Sequence, residues 1–100
     1  MKMDVKDTPL RGAILQFLKD IYPEGAERRT ILSVFYQYHR YEAIERSLEY
    51  LVDKGYVTKK DVPHPYRSQE SISIYRIGPE GIDLLDGLVQ DPAVLVPRGE

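Results

Sequence analysis

Three neighbouring acids and two histidines are the residues of this chain that could do chemistry. Glu80, Asp83 and Asp86 lie close together in sequence, as a pair of carboxylates for general acid and base catalysis would. Acids near the start of a helix are also favoured by the helix dipole, so we assign these three no catalytic role. His39 and His64 lie far apart in sequence and belong to no metal-binding motif.

The sequence motifs that mark many enzymes are also missing. The chain contains no phosphate-binding glycine loop, no nucleophile elbow and no zinc-protease helix. It contains no cysteine that could ligate a metal or form a disulfide. We therefore predict that the protein is not an enzyme and uses neither a metal nor a cofactor.

Length and composition are typical of one globular domain. The chain has 100 residues, of which 42% are hydrophobic and 30% charged, and typical domains contain roughly 100–150 residues. No run approaches the roughly 18 apolar residues of a membrane span, and residues 1–7 alternate in charge where a signal peptide would be apolar. Since nothing requires an oxidising compartment, we predict a cytoplasmic protein without membrane contact.

Charge is unevenly distributed along the chain, although the net charge is only -2. Residues 1–26 carry four basic and four acidic side chains, residues 27–67 carry eight and six, and residues 68–100 carry two and six. Because nucleic-acid binding depends on a local basic face, the middle block is where such a face is expected.

Apolar residues at helical spacing predict three helices in the first half of the chain. Thr8 as N-cap and Pro9 at the first helical position start a helix that ends at Tyr22-Pro23. A second helix is predicted from about Glu27 to Tyr38. A third follows, with Tyr41, Ile44, Leu48 and Leu51 on its apolar face and Gly55 as its C-terminal cap.

A β-hairpin and a last helix are predicted in the second half. Residues 56–58 and 71–77 are rich in strand-forming residues, whereas Pro63-His64-Pro65 cannot continue a strand ladder. Gly78-Pro79-Glu80 starts the last helix, whose predicted apolar face includes Ile82, Leu85, Leu88 and Val89. The order is therefore three helices, a hairpin with a long tip, and a helix.

Two segments make the chain resemble the winged helix-turn-helix family. Residues 48–57, LEYLVDKGYV, resemble the end of that family's recognition helix and the strand after it, and residues 75–85, YRIGPEGIDLL, resemble its last wing strand and closing helix. The closing IDLL of residues 82–85 and Asp91-Pro92 are also similar to small winged-helix proteins of bacteriophages and prophages. The resemblance implies a mainly α, α+β fold with a three-helix core, a β-hairpin wing and a C-terminal helix. Residues 9–90 would form the domain, with an N-terminal extension at 1–8 and a C-terminal tail at 91–100.

The resemblance implies a function in binding double-stranded DNA, with transcription regulation as the role. In this family the third helix lies in the major groove and the hairpin tip reaches the DNA backbone or the minor groove. Tyrosines 36, 38, 41 and 66 could stack on bases or bond phosphates, but tyrosine is usually a partly buried packing residue. Only Tyr66, near the tip, is therefore taken as a contact candidate. The predicted DNA contacts are Arg28, Arg29, Arg40, Glu42, Arg46, Lys59, Lys60, His64, Tyr66 and Arg67.

The alternative is a protein-interaction module that has the winged-helix fold without binding DNA, in a phage or regulatory assembly. Glu42, Glu45 and Glu49 on the third helix favour it, because acids there face phosphate charge. If Tyr75 and Ile77 point to the core, Ile72 and Ile74 point outward on the other face, where they could bind a partner or a second copy in a homodimer. The apolar residues 93–96 pack on the domain, cross to a second subunit or stay flexible. The predicted partner-interface residues are Ile72, Ile74, Val94 and Leu95.

Overall fold

The computed structural model describes residues 7–97. Within this range four helices and a small antiparallel sheet form an α+β domain, so the predicted fold class is confirmed at that level. The elements are α1 (Thr8–Asp20), β1 (Ala26–Glu27), α2 (Arg28–Phe35), α3 (Tyr41–Asp53), β2 (Val57–Pro63), β3 (Ser71–Ile77) and α4 (Pro79–Leu85).

One hydrophobic core joins all four helices to one face of the sheet. Its members follow the helical spacing predicted for the first and third helices and the alternation predicted for β3. The buried side chains include Leu10, Ile14, Leu15, Leu18, Ile31, Ile44, Leu48, Leu51, Val57, Tyr75, Ile77 and Leu84. The predictions that Tyr75 and Ile77 face the core and that Gly55 caps α3 in the left-handed conformation are confirmed.

Three helices differ from the sequence predictions: α1 in its N-cap, α2 in its end, which is Phe35 rather than Tyr38, and α3 in the exposure of Tyr41. The N-cap of α1 is Asp7 rather than Thr8, and the Asp7 carboxylate makes no capping bond because it binds Arg46 instead. Tyr41 was predicted on the apolar face of α3 but is exposed, since it is the first residue of the helix and lies beyond the core. Ser47 is buried farther along the same helix.

The sheet contains a strand that the sequence pattern did not reveal. β1 is only two residues long, and it pairs with β3 through Ala26 opposite Tyr75 and Glu27 opposite Ile74. The strand order is β1-β3-β2. The prediction that the first hairpin strand covers only residues 56–58 and that Pro63 cannot belong to the ladder is wrong, because β2 extends to Pro63, which lies opposite Ser71 at the end of the ladder. β1 leads directly into α2, so this short pairing fixes where α2 begins relative to the hairpin.

The last helix is shorter than predicted. It ends at Leu85, and Gly87, with a φ of +82°, turns the chain immediately afterwards. The prediction that Leu88 and Val89 lie on its buried face is therefore wrong, and both side chains are exposed. Leu84 takes the core position on this helix instead.

The segment after α4 packs back on α1, which extends the domain beyond the predicted 9–90 boundary. Ala93 and Val94 are buried, the Arg11 guanidinium donates to the Ala93 carbonyl at 2.9 Å, and the Leu95 amide donates to the Thr8 carbonyl at 3.0 Å. Gly12 allows this close crossing, because a Cβ there would lie 1.7 Å from the Leu95 carbonyl oxygen. Of the three alternatives left open for this segment, packing on its own domain is the one observed.

Asp91 anchors the same segment at its start. Its carboxylate accepts hydrogen bonds from the Tyr56 hydroxyl at 2.7 Å and the Ala93 amide at 2.9 Å, and the Lys54 ammonium lies 3.4 Å away. Burial alone would raise the pKa of Asp91, but these hydrogen bonds and Lys54 outweigh it and lower the pKa. Burial, followed by the hydrogen bond to Asp91, raises the pKa of Tyr56 to about 12.

Candidate nucleic-acid interface

Half of the predicted DNA contacts come together in one cleft, which we call the α2–tip cleft. The pairing of β1 with β3 sets the start of α2 beside the tip of the hairpin, residues 64–70. The cleft has a volume of about 530 Å³. Its walls are Glu27, Arg28, Arg29, His64, Tyr66, Arg67, Glu70, Ser71, Ile72 and Ser73.

The hairpin tip is organised by His64. The imidazole Nδ1 accepts hydrogen bonds from the backbone amides of Tyr66 at 3.0 Å and Arg67 at 3.1 Å. The backbone N–H of His64 donates a hydrogen bond to the Glu70 carbonyl at 2.9 Å, which closes the turn. Tyr66 is 90% exposed at the end of this turn, where its ring is available to a ligand. His64 therefore shapes the tip with one ring nitrogen while its ring lines the cleft.

The three arginines of the α2–tip cleft differ in whether they form ion pairs within the protein. Arg28 forms an ion pair with Glu45 that ties the start of α2 to α3. Arg67 lies 3.4 Å from Glu70, and both are well exposed. Arg29 is exposed and has no partner among residues 7–97. Arg28 and Arg67 each have a glutamate partner, so Arg29 is the arginine of the cleft that is open to an anion.

Two charged residues of α3, Glu45 and Arg46, form ion pairs with other parts of the fold, which the sequence did not indicate. Arg46 donates to both carboxylate oxygens of Asp7, at 2.7 Å and 3.2 Å, and Asp7 is buried. Arg46 was predicted to read bases, but this bidentate pair holds its guanidinium against the start of α1. Arg40, the N-cap of α3, and Glu42 in its first turn are exposed. Glu49 and Asp53 continue that exposed face with acidic charge.

The two adjacent lysines of β2 lie on opposite faces of the sheet. Lys59 is opposite Tyr75, a core residue, and Lys60 is opposite Ile74. Lys59 accordingly lines a groove of about 390 Å³ between the sheet and α3. The other residues that line this groove are Arg28, Glu45, Arg46, Leu48, Glu49, Ser73 and Tyr75. Lys60 lies away from that groove, so the two lysines cannot act as one patch.

Only one of the four predicted partner-interface residues is exposed. Ile72 and Ile74 lie on the outer face of β3 as expected, but both are partly buried rather than open to a partner. Val94 is buried against its own domain, which contradicts its predicted role in an interface. Leu95 is exposed, close in sequence to this buried residue.

Three exposed tyrosines at the connection of α2 and α3 were considered for base stacking from the sequence and set aside as packing residues. Tyr36, Tyr38 and Tyr41 are 54%, 81% and 57% exposed, although all three were expected to pack. A signal was present, because residues 36–41 read YQYHRY and combine three aromatic rings with an arginine and no acid. We refer to these three tyrosines as the tyrosine surface.

The described part of the chain has no cluster of histidine, cysteine and acidic side chains suited to a metal ion. None of the helices in residues 7–97 has the length and apolar character needed to cross a bilayer. Comparison with protein-family models, curated proteins and solved structures found no match to this chain.

Proposed function

We propose that this chain is a winged-helix protein that binds double-stranded DNA, with transcription regulation as its role. The β2–β3 hairpin would be the wing, and the α2–tip cleft would hold the phosphate backbone. The first turn of α3, with Arg40 and Glu42, would face the bases. The single observation that carries this proposal is the cleft itself, which unites basic side chains from two distant parts of the sequence.

The position of Arg28 and Arg29 supports an anionic ligand. Both lie in the first turn of α2, which contains no acid. Cations at a helix N-terminus are unfavourable, by about 0.3–1 kcal/mol each, because the helix dipole already makes that end positive. The same arrangement strengthens the attraction for a phosphate, since the unpaired backbone N–H groups and the arginines act together. Arg28 is compensated by Glu45, so a binding role explains the charge of Arg29, which has no partner among residues 7–97.

The first turn of α3 is suited to base contact in the proposed geometry. Arg40 is exposed and has no partner among the described residues, so its guanidinium can reach guanine, its most frequent target in the major groove. Glu42 can accept a hydrogen bond from the amino group of cytosine. Arg46 is held by Asp7, which leaves base reading to these two residues.

Protein interaction is the second candidate function, and the acidic side of α3 favours it. Glu42, Glu49 and Asp53 are exposed and have no partner in the described range, whereas Glu45 is paired with Arg28. These acids would face phosphates if α3 entered the groove along its whole length. They fit the first proposal only when α3 meets DNA by its first turn.

The test is binding to random duplex DNA over a salt series, with charge-removing variants. The logarithm of the affinity should fall linearly with the logarithm of the salt concentration, and Arg29→Gln should lower the slope by about one. Lys19→Gln is the matched control, because Lys19 lies on α1 and pairs with Asp86 at 2.7 Å outside the cleft. Arg40→Gln should instead weaken sequence preference in a selected site.

Two results would contradict the proposal. Absence of duplex binding at low salt would favour the protein-interaction function. An equal loss of binding in Arg29→Gln and Lys19→Gln would show that the α2–tip cleft is not the contact.

A further inference from the structure

We propose that the tyrosine surface, together with Arg40, binds unpaired bases of single-stranded nucleic acid. This site lies at the connection between α2 and α3 and shares no residue with the α2–tip cleft. Arg40 is also assigned to duplex bases above, but the stacking proposed here depends on the tyrosine rings and not on duplex binding.

The tyrosine surface is shallow and open to solvent. Residues 36–42 line a shallow cleft of about 520 Å³. The rings of Tyr36 and Tyr41 lie 6.3 Å apart between centroids and are tilted by 53°. Tyr38 stands between them in sequence and is the most exposed of the three. The exposed faces of these rings are apolar surface in contact with water. A ligand that covers them removes this surface from water, which contributes favourably to the free energy of binding.

The backbone under the tyrosine surface is held in place before any ligand binds. The amides of Tyr38 and His39 both donate to the Phe35 carbonyl at 3.1 Å. Phe35 in turn packs edge-on against Phe17 of α1, with 6.1 Å between ring centroids. A platform anchored in this way requires little ordering when it binds.

The charges around the surface fit a phosphate-containing ligand. Residues 36–41 contain Arg40 and no acid, and Arg40 has no partner within residues 7–97. Two acids lie nearby: Asp7 is paired with Arg46, and Glu42 lines the same cleft as Arg40. A strand whose phosphate binds Arg40 meets a cation while its bases meet the rings.

Unpaired bases are the ligand because stacking needs an open π face. In a duplex, both faces of each internal base are covered by neighbours, whereas a single strand offers them to aromatic side chains. Such stacking tolerates any base, so no sequence preference is expected.

The test is titration of a labelled oligo(dT) of about 10 nucleotides, a length within the usual range for such sites, followed by fluorescence anisotropy at low salt. Tyr38→Leu should weaken binding about tenfold, and Tyr38→Phe should retain it because the ring persists. Tyr22→Leu is the matched control, since Tyr22 is also exposed but its ring lies by Arg76, at 5.6 Å, outside the cleft. The Tyr38 ring resonances of the wild type should shift on titration.

The outcomes separate this inference from the proposed function. Oligo(dT) binding that depends on Tyr38 but not on Arg29 supports the inference, even in a protein that fails to bind duplex. No oligo(dT) binding, or equal binding by Tyr38→Leu and the wild type, overturns it. The inference is also overturned if the protein does not bind oligo(dT) but binds a protein segment, and Tyr38→Leu abolishes that binding. Such a result would indicate a protein ligand.

Discussion

Removal of the Asp91 carboxylate should destabilise the whole domain, because this side chain fastens the C-terminal segment to the fold. Its side chain is 9% exposed and accepts hydrogen bonds from Tyr56 and from the Ala93 amide. Hydrogen bonds to a charged group contribute about 1.5–3 kcal/mol each, but such losses are not fully additive. The exposed Lys54 adds little, since surface ion pairs contribute about 0–1 kcal/mol. Asp91→Ala should therefore lower the free energy of unfolding by about 3 kcal/mol.

Urea unfolding followed by circular dichroism measures that change directly. A loss of about 3 kcal/mol is a large part of the 5–15 kcal/mol that stabilises a typical domain, and it should lower Tm by about 12–24 °C. Asp61→Ala is the matched control, because Asp61 accepts from the Ser73 hydroxyl at the same 2.7 Å but is exposed. That variant should stay within about 0.5 kcal/mol of the wild type.

The pH dependence gives a second measurement of the same anchor. Since the pKa of Asp91 is lowered in the folded state, its contribution is complete above the ordinary value of 3.8 and is lost as the pH falls through the lowered pKa. The difference in stability between the wild type and Asp91→Ala should shrink over that acidic range. A difference under 0.5 kcal/mol at neutral pH, or equal losses in Asp91→Ala and Asp61→Ala, would refute the reasoning.

Two further predictions concern the same segment. Gly12→Ala places a Cβ 1.7 Å from the Leu95 carbonyl oxygen, so the C-terminal segment must move away from α1. The Leu95 amide, which donates to the Thr8 carbonyl, should then lose its protection from hydrogen exchange. A Leu95 amide that stays protected would show that the crossing tolerates a side chain. Tyr56 has a pKa raised to about 12, so its stabilising contribution is present below about pH 10 and is lost as the pH rises through 12. Absorbance at 295 nm should show a late tyrosinate step that disappears in Tyr56→Phe, and its persistence there would assign it to another tyrosine.

Part of the candidate nucleic-acid interface could be predicted from sequence alone. Arg29, Tyr66 and Arg67 were predicted as contacts from their places at the start of the second helix and in the hairpin, and all three line the α2–tip cleft. Their meeting depends on β1, whose two residues are too short to produce a recognisable alternation. The cleft therefore depends on the pairing of β1 with β3, which could not be predicted from the local sequence.

Sequence alone determined the helical and strand segments that build the core, because the period of apolar residues reflects which face of each element is buried. It predicted Leu48, Leu51 and Ile77 as core residues before any contact between elements was known. Tertiary structure decided which charges are free, because an ion pair depends on distances between elements. Arg46 binds Asp7, which is distant in sequence, whereas Arg40 has no side-chain partner among the described residues. It also decided that Val94 is buried and Tyr38 exposed, since burial is set by what packs on a residue and not by its own hydrophobicity.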